Sequence, residues 1–248
     1  MHWLSRLFQR TPTLDPALWR DAAAAVPWVA RLDDVRRERL AGLVAGFLAR
    51  KAITPVGGLE LHERERVMLA ALCCLPVLEF GPHGLDGWSE VIVYPDAFRA
   101  QRSHMDAAGV LHEGEQDLEG ESWEYGPLIV SWADVQAEMA VPDDGLCVVV
   151  HEMAHKLDAL DGAFDGTPLL PRAWQVAWAR DFQQAYDALV ARVDAGGEVP
   201  IDDYAAESPE EFFAVCSEYH FTLPSVLDEA MPGVAAHLRR FYGPSPFA

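Results

Sequence analysis

The chain has 248 residues, half of them hydrophobic, and a formal net charge of −20 at pH 7. That length and apolar content suffice for a large core, as one globular unit or two small ones. The acidity argues strongly against a nucleic-acid surface, which needs clustered Lys and Arg, and disfavours an anionic membrane surface; it favours a cationic substrate or partner, although acidity more often serves solubility alone.

Met1 to Arg10 contains no long apolar segment and no small-residue cleavage site, so no signal peptide is read there, and residues 1–15 are expected to form a flexible N-terminal segment. Residues 16–32 and 34–50 have helical periodicity, with Asp33 or Asp34 as the cap between them. Residues 60–75 predict a third helix that ends before Pro76. The apolar run Met68 to Phe80 contains Pro76 and Glu79 and is too short to span a bilayer. Cys73 and Cys74 in that run read as small buried hydrophobes. Together with Cys147 and Cys216 they form no C-x-x-C pair, which argues against a disulfide framework and for a reducing, cytoplasmic setting.

Strand signals follow. Trp88 to Tyr94 alternates and stops at Pro95; Val110-Leu111-His112 and Glu121 to Tyr125 are short candidates; Pro127 to Trp132 is the strongest. They predict a small mixed or mostly antiparallel sheet packed on the helix that comes next. Its edge is either closed or open to an extended peptide. The expected fold class is α+β, with one domain over 16–248. That domain has an N-terminal helical part (16–80), a catalytic core (81–248) and further helices at the C-terminal end.

The next helix carries His151-Glu152-Met153-Ala154-His155, an H-E-x-x-H motif. Residues four apart on a helix are neighbours, roughly 5–6 Å between Cβ atoms, so both imidazoles can reach one Zn²⁺. Glu152, about 100° further round, is placed to hold the metal's water rather than to ligate. The motif arises by chance in roughly one to three per cent of chains of such composition, so context decides. Leu146, Val149, Met153 and Leu157 form a core stripe, and His151, His155 and Asp158 fall opposite. Asp143 or Asp144 is the expected cap, and Gly162 lies past the end. The plain alternative is two histidines satisfied by hydrogen bonds on a buried helix. Asp158 reads equally as a carboxylate orienting a ligand imidazole or as a solvated charge at the helix end.

Residues 161–168 read as a loop, and 171–194 as a long helix broken by Gly196-Gly197. A catalytic zinc normally takes a third protein ligand from another element. The helix after Ser208-Pro209 offers Glu211 and, as a fallback, Glu218, both flanking the apolar stripe of Phe212, Val215, Cys216 and Tyr219. Glu210 points to solvent, and His220 lies on the other side of the helix. Ser208-x-x-Glu211 is also a capping box, in which the glutamate would turn back to the helix start. Spacing does not separate the two roles. Tyr204 reads from its surroundings as a half-buried loop tyrosine.

His151 to Asp158, Ile201 to Ala206 and Phe213 to Tyr219 resemble the Mlc titration factor A family. So do Cys74 to Glu79, Leu85 to Trp88 and Gly126 to Val130. The resemblance runs from about residue 35 to the end. It implies a zincin-like, gluzincin-type zinc metallopeptidase of the bacterial cytosol, related in its catalytic core to the anthrax lethal factor protease. It also implies one Zn²⁺ per chain on His151, His155 and Glu211, with Glu152 as catalytic carboxylate and Tyr204, seven residues before Glu211, assisting catalysis. Family members are implicated in binding the glucose-responsive repressor Mlc. His220 departs from the pattern, where an aromatic is expected.

Three functions are compatible with these residues. The first is a zinc peptidase acting on a peptide or protein substrate. The second is a binding protein that sequesters a transcription factor and carries a weak metal site. The third, a structural zinc protein, ranks last because such sites are usually closed by four side chains and no cysteine here is spaced for one.

Overall fold

The computed structural model describes residues 13–96 and 126–248, so the strand candidates at 110–112 and 121–125 lie outside it. Helix α1 (Pro16–Ala25) starts with Pro16 in its first turn, where the Asp15 carboxylate accepts from the amides of Ala17 and Leu18. The periodicity of 16–32 predicts one helix; the structure breaks it at Val26, which is extended at φ −97°, ψ 108°. Pro27 is the cause, since its ring excludes the helical backbone from the residue before it. A short α2 (Pro27–Ala30) follows, then α3 (Asp34–Leu48), capped by Asp33 through the Arg36 amide at 2.8 Å. In α4 (Glu63–Cys74) the Glu65 carboxylate reaches back to the His62 amide at 2.8 Å, and the last eight residues are all buried between α1, α3 and the rest of the core. Burial pushes the Cys73 thiol up to about 12, and all four cysteines are buried and free.

The sheet has the order β1 (Ala52–Pro55), β2 (Glu90–Tyr94), β3 (Leu128–Ser131), and both pairings are parallel. This corrects the mixed or antiparallel expectation among the described residues. Parallel neighbours need long crossovers, and α4 lies between β1 and β2. β1 was not foreseen, and without it the alternation of β2, with only Val91 and Val93 fully inside, reads as half of a hairpin. The α+β class stands.

Strand β3 runs straight into α5 (Trp132–Ala140), whose first turn is capped by the Ser131 hydroxyl accepting from the Asp134 amide at 3.1 Å. The sequence reading carried the strand on through Trp132. Next come α6 (Val148–Asp158), α7 (Arg172–Asp194), α8 (Pro209–Thr222), α9 (Pro224–Ala230) and α10 (Pro232–Tyr242). Helix α6 packs against β3, α4, α5 and α8, and buries Val149, Val150, Met153, Ala154 and Leu157. The predicted stripe is thus present, except that Leu146 precedes the helix and is half-buried. One hydrophobic cluster runs from Ala22 to Tyr242. Its C-terminal portion is aromatic, with Trp178 stacked on Phe182 at 4.2 Å and both against Phe213.

His220 sits in that portion, on the far side of α8 from the predicted site, with ring centroids 5.0 Å from Phe221 and 5.6 Å from Tyr242. Burial, helped by Arg239 and Arg36 and opposed by a backbone hydrogen bond to Gly243, lowers its pKa from 6.5 to about 3. Its Nε2 is buried without a partner. A base whose folded pKa is lowered contributes stability above pH 6.5 and loses it as the pH falls toward 3. At pH 5 the unfolded chain holds a proton there that the folded chain does not, which costs about 2 kcal/mol relative to pH 8. His220→Phe is therefore expected to lose about 2 kcal/mol less than the native protein between pH 8 and pH 5 in urea unfolding. Equal losses would contradict this account of His220.

Candidate metal centre

The first turn of a helix leaves amides without intrahelical partners and favours negative charge. Neither Asp143 nor Asp144 supplies the cap of α6: Cys147 occupies that position, and Asp144 accepts from the Leu146 amide before the helix begins, at 3.1 Å. Two carboxylates from other helices replace the expected cap. Glu218 Oε2 of α8 accepts from the Cys147 amide at 2.6 Å, and Glu138 Oε2 of α5 accepts from the Val148 amide at 3.0 Å. Burial lifts the Glu138 pKa to about 8, the Val148 amide pulling the other way.

Glu218, 1% exposed, has its other oxygen 2.8 Å from His151 Nδ1. The fallback ligand of the sequence reading therefore belongs beside the site. It holds the outer nitrogen of His151, which makes Nδ1–H the donor and turns Nε2 inward. That Nε2 lies 3.1 Å from His155 Nε2 and 3.0 Å from Glu211 Oε2, and the last two are 3.5 Å apart. The structure thus brings together His151, His155 and Glu211, and turns the Glu211 carboxylate to the imidazoles. Only the hydroxyl half of the capping box forms, with Ser208 Oγ accepting from the Glu211 amide at 3.3 Å.

This donor set fits a metal ion. Two imidazole nitrogens and a carboxylate oxygen converge from two helices, all within 4.8 Å of one another. Tetrahedral zinc with bonds of about 2.0–2.1 Å would hold its donors about 3.3–3.4 Å apart, close to the separations observed. Glu211 Oε2 is buried with no well-formed hydrogen bond. The electrostatics agree. Burial opposes the His151 imidazolium, but the neighbouring Glu211 and Glu218 carboxylates outweigh it and raise its pKa to about 10. Burial likewise opposes the Glu211 carboxylate, yet His151 and His155 hold it well below the usual carboxylate range. The cluster favours added positive charge, which a divalent cation supplies.

Glu152 follows His151 on α6 and is half-buried. Tyr204 lies in a 3₁₀ turn (Asp203–Ala206) fixed by the Asp202 carboxylate, which accepts from the Tyr204 amide at 3.0 Å. Its ring centroid is 6.1 Å from that of His151. Asp158 takes neither predicted role. It is fully buried and accepts from the Gly166 amide at 2.8 Å, and burial raises its pKa to about 7. Gly166, at φ +78°, lies so close to the start of α8 that a Cβ there would meet the Pro209 carbonyl oxygen at 2.3 Å. Asp158 and Gly166 therefore pin the loop after α6 against the turn that presents Glu211. Lys156 ties α6 to the start of β3, its ammonium donating to the Gly126 carbonyl at 3.1 Å.

Sequence reasoning missed the roles of Glu218, Glu138 and Gly166. For Glu218 the facing was read, since seven residues are nearly two turns and put it on the same flank of α8 as Glu211, but its partners on α6 were not.

Known proteins resemble the chain over nearly its whole length. The model of a family described as glucose-regulated metallo-peptidase M90 matches residues 2–243. Mlc titration factor A of Serratia proteamaculans is 37% identical over 235 residues, covering 94% of this chain and 88% of that protein. The protein of the same name from Cronobacter sakazakii is 37% identical over 239 residues, covering 95% and 89%. That from Escherichia fergusonii is 36% identical over 241 residues, covering 96% and 90%. Among the described residues no helix is long and apolar enough to cross a membrane.

Proposed function

Since the chain belongs to the glucose-regulated metallo-peptidase M90 family, we propose that it is a cytoplasmic zinc-dependent peptidase, with one ion per chain on His151, His155 and Glu211. The observation that carries this reading is the convergence of those three donors, at 3.0–3.5 Å, on the H-E-x-x-H face of α6.

Zinc, when bound, lowers the pKa of a coordinated water toward 7 and polarises the scissile carbonyl. Glu152 takes the proton of the attacking water and returns it to the leaving amine. Tyr204 donates its hydroxyl proton in a hydrogen bond to the oxygen that becomes negative as the carbonyl is attacked. Glu218 keeps His151 in the tautomer and orientation that ligation needs, and the Asp158–Gly166 contact keeps the Glu211 turn in register with α6. Removing the metal with a chelator is expected to abolish hydrolysis of peptide substrates, and zinc to restore it. Hydrolysis that survives complete metal removal would contradict the reading.

The name of the relatives, Mlc titration factor A, supports a second role, binding of an Mlc-like transcriptional repressor. The net charge of −20 suits a partner with a basic DNA-binding face. A complex with such a repressor that weakens as salt is raised is the expected result; no complex, or one indifferent to salt, would count against it.

A further inference from the structure

The two histidines have different aromatic neighbours. Tyr204, with its hydroxyl, lies beside His151; Phe164, with none, lies beside His155, ring centroids 5.2 Å apart at 45°. Phe164 is 37% exposed although it adjoins the partly buried donor cluster. We propose that Phe164 walls a side-chain subsite next to the metal centre and selects peptides with a large apolar residue beside the scissile bond, an inference that rests on the peptidase reading.

The loop that carries Phe164 is built to hold it there. Gly162, at φ +85°, ends the 3₁₀ turn Ala159–Asp161. The Asp161 carboxylate accepts from the Ala163 amide and that of Asp165 from the Thr167 amide, both at 3.0 Å, so a side-chain turn brackets Phe164 on each side. Beyond them Gly166 is fixed by Asp158 and abuts the Pro209 backbone. An aromatic ring on so well anchored a loop forgoes the stabilisation that burial would give it. A substrate side chain placed over the ring recovers that stabilisation at the position where the chemistry occurs. A pocket wall of this kind discriminates by size rather than by charge; one methylene in an apolar pocket is worth roughly 10–200-fold.

The test uses the zinc-loaded full chain and peptide hydroxamates, which bind through the metal and need no turnover. A hydroxamate carrying a leucine side chain is expected to bind at least about ten-fold tighter than its glycine counterpart. In Phe164→Ala the gap should shrink to within about three-fold, with zinc content and acetohydroxamate affinity unchanged, while Phe164→Leu keeps most of it. An undiminished gap in Phe164→Ala, or none in the native protein, overturns the inference and leaves the peptidase reading standing. Failure of every hydroxamate to bind the zinc-loaded protein overturns both.

Discussion

Glu152→Gln is expected to retain zinc and to lose peptide hydrolysis by about 10²–10⁴-fold, the range a positioned general base contributes. The substitution preserves the shape of the side chain and replaces a proton acceptor with an amide that cannot take up a proton at neutral pH. Glu152 stands between the two histidines in sequence but outside their donor cluster, so the metal should remain bound. Its position on α6 is held by the burial of Val149, Met153 and Leu157 and by the carboxylates of Glu138 and Glu218 at the helix start, none of which the substitution touches. Metal analysis together with kcat/KM separates the outcomes. A variant with zinc and full activity would remove Glu152 from the mechanism, and one without zinc would mean that it supports the site.

The second large effect concerns the third donor. Glu211→Ala is expected to weaken zinc binding by more than the roughly 10–100-fold typical of losing a residue behind the ligands. Glu210→Ala should leave it nearly unchanged. The pair is informative because both glutamates lie in the first turn of α8 and both variants remove one negative charge there. Long-range electrostatics and helix-end effects nearly cancel in the comparison. What remains is that the Glu211 carboxylate lies 3.0 Å from His151 Nε2 and 3.5 Å from His155 Nε2. Equal zinc affinity in the two variants would mean that Glu211 serves the helix cap alone.

Much of the local structure was legible because its causes are local. The stripe of Val149, Met153 and Leu157 set the facing of α6, the Asp33-Asp34 pair marked the start of α3, and Ser208-Pro209 that of α8. Legibility failed where the determinant is distant in sequence. The amides at the start of α6 are satisfied by residues ten and 71 positions away, so a search for a neighbouring aspartate could not find them. Strand β1, which completes the parallel sheet, has only four residues, too few for a periodicity to register. Pro27 is a different case: the break was written in the Val26-Pro27 pair, and the helical periodicity on both sides concealed it.

At the site, spacing alone left Glu211 between ligand and cap. Folding separates these because the Glu211 carboxylate turns to the histidines instead of back to the Ser208 amide, while the Ser208 hydroxyl still accepts from the Glu211 amide. Glu218 could not be assigned from α8 alone, because its role depends on the start of α6 lying within hydrogen-bonding distance. The loop residue Phe164 carried no signal at all, since its meaning comes from the ring of His155 behind it.

The central claim is that one metal ion on His151, His155 and Glu211 drives peptide hydrolysis. Its most direct test is stoichiometric: metal-free protein titrated with zinc while peptide hydrolysis is followed. Activity is expected to rise in proportion to added zinc and to level off sharply at one ion per chain. Activity in the metal-free protein, or zinc uptake with a break at one ion and no hydrolysis, would contradict it.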